Sequence, residues 1–360
     1  MSELMSGEAR GLGAVVARAG LGLLEPLYGA GVWWRNLGYD RGWREVVDLG
    51  RPVVSVGNLT TGGTGKTPMV VEVVRRLEGM GKLTGVLLRG YGTELKEREP
   101  GGPRAMGSDE AMVYREALGD GVMVAADPDR VRAARWVLEK DAGVDVFVLD
   151  DGFQHRRVKR DVDLVLVDAM TPWGFGHLLP RGMLRESVGG LRRADGVVVT
   201  RCDRVCEGEI GAIERRVRGV HESVAMMRSE SDWTGLKGVE GEAMGVEVLS
   251  GRRVYGVCGV GNPAAFAAML RERVGEVVGM WEAADHHAYN EADVSGIMAA
   301  ARGAGAELIV TTEKDWVKLV GLVGGEGLPV VRVVLGTRVV RGSDELDRLL
   351  AGLFAEGLRG

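Results

Sequence analysis

The 360-residue sequence predicts an α/β fold in which a mostly parallel sheet is covered by helices on both faces. The first observation is a series of short, nearly continuous apolar runs rich in Val and Leu, as in strands buried on both faces. The second is that helical patterns separate these runs, because parallel strands need crossover connections. Hydrophobic residues make up 45% of the chain and charged residues 27%, an ordinary composition for a folded protein.

The first series of strands and helices follows an N-terminal helical region. Its predicted strands are residues 52–56, 83–88, 144–149, 164–167 and 197–200. Its predicted helices are residues 67–78, 109–118 and 128–140, and we expect Asp127 to be the N-cap of the last of these.

A second, shorter series begins after residues 207–250, a less regular stretch that we expect to contain the domain junction. It has predicted strands at 254–258 and 308–310 and a helix that begins at Pro263. The predicted organisation is an N-terminal membrane-associating helical segment packed on the core, a core domain and a smaller second α/β domain. Their predicted bounds are residues 1–50, 51–215 and 216–345.

The N-terminal segment, residues 12–34, is apolar along one helical face but is interrupted by Arg18 and Glu25. The residues that share this face are Leu12, Val15, Val16, Ala19, Leu23 and Leu27. It is therefore predicted to be an amphipathic helix rather than a membrane span. Two interpretations remain, a helix lying on a membrane surface and a helix packed on the protein's own core. By itself the segment favours the second, since it lacks the Lys and Arg excess of many surface-binding helices.

Charge and cysteine content exclude some classes of protein. The formal net charge of -5 argues against nucleic acid as a partner of the whole chain, since such proteins are normally basic. The three cysteines, Cys202, Cys206 and Cys258, form no paired framework and have no spacing typical of a zinc site. We expect buried thiols in a reducing cytoplasm.

The most informative segment is the loop between the first predicted strand and the helix after it. It contains Thr60, Thr61, Gly62, Gly63, Thr64, Gly65, Lys66 and Thr67. Glycines let backbone N–H groups surround phosphate oxygens, and a Lys followed by a hydroxyl at a helix start supplies charge and a Mg²⁺ ligand. The loop therefore predicts a P-loop NTPase-type site that binds the phosphates of ATP. Thr60 stands where the usual pattern has its first Gly, and a Gly-rich turn without a ligand is the alternative.

A P-loop needs a carboxylate on a neighbouring strand to help to hold the metal. Asp150 and Asp151 follow an apolar strand directly, and open α/β sheets bind ligands at this end of their strands. We predict Mg²⁺ ligation by Thr67 with Asp150 or Asp151, and the sequence does not separate the two. Asp168, at the end of another strand, is a weaker candidate.

With these motifs the sequence resembles the tetraacyldisaccharide 4′-kinases. The matching segments are residues 58–68, 89–92, 150–155, 160–163, 178–182, 184–186, 285–287 and 312–315. The resemblance implies that ATP donates its γ-phosphoryl group to the 4′-hydroxyl of a lipid-linked disaccharide, tetraacyldisaccharide 1-phosphate, to form lipid IVA. It also implies attachment to the cytoplasmic face of the bacterial inner membrane. This favours the interpretation of the N-terminal helix as one that lies on a membrane surface.

The resemblance further implies a catalytic dyad made of Asp109 and His286, with Lys66 on the phosphates. Arg185 and Glu186 match a family pair that lines the active site and are candidates for substrate contact. Arg130 is another such candidate, because a guanidinium can contact a phosphate with two donors, although a solvated helix face explains it equally well. Asp203 and Asp315 faintly resemble the base-reading residues of GTP-binding proteins, and each could simply follow a strand.

A different function class remains open at this point. A P-loop ATPase or GTPase that drives a conformational change would have the same phosphate loop. The block around His286 and the N-terminal helix favour a kinase, since a switch protein needs no base for an acceptor hydroxyl. A lipid-binding protein with a vestigial loop is disfavoured because Lys66, Thr67, Asp150 and Asp151 are all present.

Overall fold

The structure is a computed structural model that describes residues 5, 7, 9–90, 105–106, 109–119, 121–260, 263–284, 287–324 and 327–355, with only the backbone of 105–106, 109–110 and 265. The chain divides into two compact units, which are described separately. The first contains Met1–Ser231 and Thr337–Gly360, and the second contains Asp232–Gly336.

The first unit is built on a parallel sheet. Its strands are β1 (Val53–Asn58), β2 (Thr84–Leu88), β3 (Ala105–Met106), β4 (Met123–Ala126), β5 (Val146–Asp150), β6 (Val162–Asp168), β7 (Gly196–Thr200) and the beginning of β8 (Ala225–Lys237). They lie in the order β8-β7-β6-β1-β5-β2-β4-β3. In β1, β5, β6 and β7 every residue is buried, as the continuous apolar runs predict.

Helices cover both faces of this sheet. They are α1 (Leu12–Asp40), α2 (Lys66–Gly79), α3 (Asp109–Leu118), α4 (Arg130–Lys140) and α5 (Glu207–Arg218), and the C-terminal helix Ser343–Gly352 also belongs to this unit. Alternate residues of the strands enter different core clusters: Val54 and Val56 pack with α2, and Val53 packs with α4. This two-sided burial confirms the predicted fold class.

The N-terminal helix α1 contacts the rest of its unit through polar side chains. Tyr28 Oη donates to the backbone carbonyl of Arg185 at 3.0 Å, and Asn36 donates to the Glu186 carboxylate at 3.3 Å. Glu25 accepts the N–H of Leu178 at 2.8 Å. The apolar face points the other way, since Leu23 is 79% exposed and Leu27 and Trp34 are exposed too. Among the described residues, no helix is long and apolar enough to cross a bilayer.

The second unit has a smaller parallel sheet in the order β11-β10-β12-β13. The strands of this sheet are β10 (Arg253–Cys258), β11 (Glu276–Glu282), β12 (Leu308–Thr311) and the beginning of β13 (Val330–Arg341). The end of β8 pairs antiparallel with the short strand β9 (Ala243–Met244). Its helices are α6 (Pro263–Arg271), α7 (Glu291–Gly303) and α8 (Glu313–Leu319), after which α9 (Ser343–Gly352) lies in the first unit.

The division of the chain differs from the predicted bounds at 215/216 and 345. Residues 207–218 form the regular helix α5, whose Ile210, Ile213 and Val217 pack in one core with β6 and β7. The chain returns to the first unit after Gly336, and Leu346 on α9 packs with Val198 and Met227. The first unit therefore continues through α5 and the beginning of β8, and the boundary between Ser231 and Asp232 lies within the stretch 207–250 that was expected to contain the domain junction.

The expected N-cap of α4 is also corrected. Asp129 is the N-cap, and its carboxylate accepts the N–H groups of Val131 and Arg132. Asp127 instead accepts the N–H of Asp129 at 2.7 Å and pairs with the Arg132 guanidinium. Both aspartates thus organise the start of the helix, but only Asp129 is directly beside it.

Candidate phosphate-binding and catalytic site

The predicted phosphate loop lies between β1 and α2. Gly65 precedes the helix in the left-handed region, with φ 82°, and Lys66 is its first residue. Gly57, before the loop, has no room for a side chain, because a Cβ there would be 2.6 Å from the Cβ of Phe153. The start of a helix offers N–H groups and the positive end of its dipole to an anion. The local structure is therefore the one that the sequence predicts for phosphate binding.

The Lys66 ammonium lies over two polar side chains at this end of the sheet. It donates to the Asn58 side-chain oxygen at 3.3 Å, and it is 3.6 Å from the nearer Asp151 carboxylate oxygen. Asp151 directly follows β5 and adopts a positive φ of 53°. Because β1 and β5 are neighbouring parallel strands, Asn58 and Asp151 both lie at their carboxyl ends.

Arg185 fixes the same carboxylate from the other side. Its two terminal nitrogens donate to the two Asp151 oxygens at 2.7 and 2.9 Å. The guanidinium also donates to the Asn58 side-chain oxygen at 2.8 Å and to the Thr60 carbonyl at 3.1 Å. Fork-shaped pairs of this kind are stronger and more directional than single hydrogen bonds. Arg185 therefore joins the loop, β1 and the residue after β5.

The charge state of Asp151 follows from these contacts. Burial acts to raise the pKa of this carboxyl, but the hydrogen bonds from Arg185 and the charges of Arg185 and Lys66 outweigh it and hold the pKa below its usual range. Asp151 is thus ionised near neutral pH. Two cations share one carboxylate here, so the group carries a net positive charge suited to an anionic ligand.

Gln154 and Glu186 extend this network towards the N-terminal helix. The Gln154 amide donates to the Asn58 carbonyl and to the Glu186 carboxylate, both at 2.9 Å. Glu186 is buried, and its other oxygen accepts from Arg193 at 2.8 Å as well as from Asn36 on α1. The predicted pair Arg185 and Glu186 therefore lies in the network, with Glu186 enclosed by donors.

Asp150 has different surroundings from Asp151. It is the last residue of β5, is 9% exposed and lies beside Val56 of β1. The buried guanidinium of Arg130 donates to its backbone carbonyl at 3.3 Å and to the carbonyl of Asp127 at 3.2 Å. Burial lowers the pKa of Arg130 to about 10, although the nearby carboxylates oppose this. The interpretation of Arg130 as part of a solvated helix face is therefore wrong.

The residues predicted to hold Mg²⁺ can be tested by their donor chemistry. Mg²⁺ prefers carboxylate, hydroxyl and phosphate oxygens and usually keeps several waters. Asp150 at the end of β5 and Thr67 in the first turn of α2 supply such oxygens. One carboxylate and one hydroxyl fit a Mg²⁺ that also binds substrate phosphates and waters. Among the described residues no group of three or more His, Cys, Asp or Glu is arranged to bind a metal.

Strand β7 supplies contacts to the loop that the sequence did not predict. The Thr200 hydroxyl donates to the Thr64 carbonyl at 3.1 Å. The Arg201 guanidinium donates to the Gly63 carbonyl and, at 2.7 Å, to the Asp168 carboxylate. Asp168, the weaker metal candidate, is thus engaged in an ion pair with the half-buried Arg201. On the loop's other side, the Thr61 N–H donates to the Met183 carbonyl at 2.7 Å.

The predicted dyad is only partly described. Asp109 begins α3, but its side chain lies outside the described part of the structure. His286 also lies outside the described residues. The neighbouring His287 is described, and its Nε2 is 3.0 Å from the Asp293 carboxylate at the start of α7. The assignment of Asp109 and His286 as a dyad therefore stays a prediction.

The two aspartates that resemble base-reading residues have distinct environments. Asp203 pairs with its neighbour Arg204 at 2.9 Å. Asp315, in the second unit, is fully buried and accepts hydrogen bonds from the Gly259 N–H at 3.0 Å, the Thr312 hydroxyl at 2.6 Å and the Tyr289 hydroxyl at 3.2 Å. Asp315 therefore ties together the ends of β10 and β12.

Sequence reasoning missed several residues of the site. Asn58 and Gln154 lie within the segments that carry the family resemblance, but an amide is neither an acid nor a base and so received no role. Thr200 and Arg201 carried no signal except the end of an apolar strand. Their contacts depend on the order of strands in the sheet, which a single sequence does not reveal.

The family and the relatives that match this chain agree with one another. The profile of the tetraacyldisaccharide-1-P 4′-kinase family, LpxK, matches residues 17–354. A tetraacyldisaccharide 4′-kinase of Anaeromyxobacter dehalogenans (strain 2CP-C) is 37% identical over 350 residues, covering 94% of this chain and 91% of the relative. One from Geobacter sulfurreducens is 38% identical over 348 residues, covering 93% of this chain and 94% of the relative.

A solved structure has the same fold. It is the "apo" form of LpxK from Aquifex aeolicus in complex with ATP, with a TM-score of 0.72 and 26% sequence identity. The match covers 94% of this chain and 100% of the solved chain. Sequence and fold therefore point to the same group of proteins over nearly the whole length.

Proposed function

The chain belongs to the tetraacyldisaccharide-1-P 4′-kinase family, and from that premise we propose how its residues carry out the reaction. It is a kinase that transfers the γ-phosphate of ATP to the 4′-hydroxyl of tetraacyldisaccharide 1-phosphate and forms lipid IVA in lipid A biosynthesis. The single observation that carries the residue-level proposal is Lys66 at the start of α2, held beside Asn58 and Asp151.

The loop 60–67 binds the ATP phosphates in this proposal. The helix start offers N–H donors, and Lys66 supplies a mobile cation that can leave Asp151 for the β- and γ-phosphates. Its contacts at 3.3 and 3.6 Å are longer than those of Arg185 to the same groups, so Lys66 is the more easily released of the two cations. Arg185 then keeps Asp151 neutralised while Lys66 moves.

Thr67 and Asp150 are the residues that would hold Mg²⁺. Asp151 is less suited, because both of its oxygens accept from Arg185. When bound, the metal neutralises charge on the phosphate oxygens. Arg130 supports Asp150 through its backbone carbonyl, so we assign Arg130 a positioning role rather than direct contact with the lipid phosphate.

The acceptor hydroxyl must lose a proton as the phosphoryl group is transferred. We assign this task to Asp109 and His286, where a carboxylate beside an imidazole raises its basicity or itself accepts the proton. The family resemblance points to His286 rather than to its neighbour His287, whose Nε2 lies 3.0 Å from the Asp293 carboxylate at the start of α7. Glu186 is enclosed by Gln154, Asn36 and Arg193, and its role is to hold this network rather than to act on protons.

The N-terminal helix places the enzyme on a membrane in this proposal. Its polar side faces the protein through Glu25, Tyr28 and Asn36. Its exposed apolar side, with exposed Trp33 and Trp34 near its C-terminal end, has the character of a helix lying at a bilayer surface. The acyl chains of the substrate reside in such a surface. The proposed location is therefore the cytoplasmic face of the bacterial inner membrane, bound without crossing it.

The test is phosphoryl transfer from γ-labelled ATP with Mg²⁺ to detergent-dispersed tetraacyldisaccharide 1-phosphate. We expect label on the lipid, and a loss of at least about 100-fold in Lys66→Ala, as for removal of a charge at a transferring phosphate. Lys159→Ala is the matched control, because Lys159 forms an exposed pair with Asp48. Label released only as free phosphate, with or without lipid, would favour an ATPase switch, and full activity of Lys66→Ala would overturn the phosphate assignment.

A further inference from the structure

We propose that Arg201, Asp168 and Thr200 form a clamp that presets the phosphate loop for ATP, with Arg201 as its principal positioning residue. The inference rests on the proposed binding of phosphates by the loop 60–67. It assigns a role to Thr200 and Arg201, for which neither the sequence motifs nor the family resemblance provides one, and it gives Asp168 a role other than metal ligation.

The clamp holds two successive peptide units of the loop. Arg201 donates to the Gly63 carbonyl, and the Thr200 hydroxyl donates to the Thr64 carbonyl at 3.1 Å. Both carbonyls are therefore held towards the end of β7. No other described side chain donates to either of them.

The orientation of these carbonyls decides where the adjoining N–H groups point. A trans peptide unit is planar, and its C=O and N–H bonds point in opposite directions. Holding the Gly63 carbonyl towards Arg201 directs the Thr64 N–H away from β7, and holding the Thr64 carbonyl towards Thr200 does the same for the Gly65 N–H. Successive N–H groups that face one side form a concave anion site. The clamp thus orients donors towards the phosphates without touching them.

Arg201 is itself held in place by its partner and its backbone. Its guanidinium donates to Asp168 at 2.7 Å, and Asp168 is 6% exposed and also accepts the N–H of Met170 at 3.1 Å. The backbone carbonyl of Thr200 accepts the N–H of Ala169 at 3.0 Å, which ties the ends of β6 and β7 together. Arg201 has a positive φ of 59°, unusual for a residue with a side chain. Surroundings that enforce such a conformation are typical of functional positions.

This arrangement also gives Asp168 a task other than metal binding. One oxygen pairs with Arg201 and the other accepts a backbone N–H. Burial raises the pKa of Asp168, and the Arg201 charge opposes that rise. The carboxylate is therefore best described as the group that aims Arg201 at the loop.

The test measures ADP binding with Mg²⁺ by calorimetry, together with the KM for ATP and for the lipid acceptor, on the full chain. We expect Arg201→Met to weaken the binding of ADP about tenfold, as for loss of a charge-assisted hydrogen bond. The KM for ATP should rise by a similar factor, and the KM for the lipid should stay unchanged. Arg201→Lys should recover part of the affinity, since an ammonium can reach one of the two acceptors. The double variant Asp168→Asn with Arg201→Met should lose less affinity for ADP than the product of the losses in the two single variants.

Two further variants keep the proposal open to refutation. Thr200→Val removes one hydrogen-bond donor at nearly constant volume and should also weaken the binding of ADP. It provides the test if Arg201→Met does not fold. Arg348→Met, at an exposed arginine on α9, is the control for loss of charge. Unchanged ADP affinity in both Arg201→Met and Thr200→Val, or in Thr200→Val alone if Arg201→Met does not fold, would overturn the clamp alone when affinity is lost in Lys66→Ala. Unchanged affinity in Lys66→Ala would overturn the phosphate loop itself.

Discussion

Arg185 and Asp151 form a two-point ion pair, 2.7 and 2.9 Å long, beside the lysine of the phosphate loop. The same guanidinium reaches Asn58, which also accepts from Lys66. Asp151 and Asn58 are therefore shared between a firmly held arginine and a more loosely held lysine. This sharing provides a way to keep the site ordered before ATP arrives and to release Lys66 when phosphate binds.

Replacing Arg185 should slow the reaction more than it weakens ATP binding. Arg185→Met should lower kcat about 10- to 100-fold, because Asp151 would then retain Lys66 and leave it less available for the phosphates. Arg185→Lys should recover little, since an ammonium cannot form the two-point pair. Steady-state kinetics with Arg348→Met as the control would check this. Full recovery of kcat in Arg185→Lys would contradict the two-point ion pair as the reason for the loss.

Asp150 and Asp151 should differ in their dependence on Mg²⁺. Asp150→Asn should raise the Mg²⁺ concentration at half-maximal activity about tenfold or more, because a metal ligand loses its charge. Asp151→Asn should lower kcat with little change in that concentration, because it loosens Lys66 and Arg185 instead. Activity measured across a Mg²⁺ titration separates the two. The reverse pattern would show that Asp151 is the ligand.

Asp109 and His286 should act as one unit. Asp109→Ala and His286→Ala should each lower kcat about 100-fold, and the double variant should be about as slow as the slower single one. His287→Ala is the matched control, since His287 contacts Asp293 and is expected to keep near-normal kcat. Single-turnover rates are the measurement. Losses that multiply in the double variant would disprove the dyad.

The exposed face of α1 should control binding to lipid. Leu23→Ser combined with Leu27→Ser should weaken binding to vesicles about tenfold or more, because each buried leucine contributes about 2 kcal/mol. Both side chains are exposed, so the fold and the activity in detergent should be preserved. Leu83→Ser changes an equally apolar, exposed residue outside α1 and serves as the control. Equal co-sedimentation of both variants with vesicles of bacterial lipids would contradict the proposed membrane surface.

Glu313 in the second unit should make stability fall as pH rises towards neutrality. Burial raises the pKa of Glu313 to about 7, although the charge of Lys237 opposes the rise and the Arg332 guanidinium lies 3.8 Å from the carboxylate. Between the usual glutamate pKa of about 4.3 and that value, the unfolded chain has lost a proton that the folded chain keeps. The free energy of unfolding should therefore decrease by up to about 1.4 kcal/mol per pH unit in this window.

Urea unfolding at pH 5 and pH 8 checks the contribution of Glu313. Glu313→Gln should reduce the difference between the two pH values, because the amide does not titrate. Glu345→Gln, at an exposed carboxylate that pairs with Arg348, is the control. An unchanged pH dependence in Glu313→Gln would contradict the raised pKa.

The sequence predicted the strands and helices that carry strong local patterns. The runs that became β1, β5, β6 and β7 are continuous because both faces of each strand are buried, and the loop before α2 has its own signal in Gly and Lys. Helix α5 was missed although Ile210, Ile213 and Val217 have helical spacing. Strand β13 was missed because its pattern is mixed: it is buried at its beginning and partly exposed further on.

The sequence by itself determined the phosphate loop, the carboxylates after β5 and the family, since each depends on residues that are adjacent along the chain. Only the tertiary structure decided that Arg185 holds Asp151, that Arg130 is buried, and that Thr200 and Arg201 hold the loop. The physical reason is the order of the strands, in which β6 and β7 follow β1 on one side and β5 lies on the other. That order brings the carboxyl ends of distant segments together, and no local pattern encodes it.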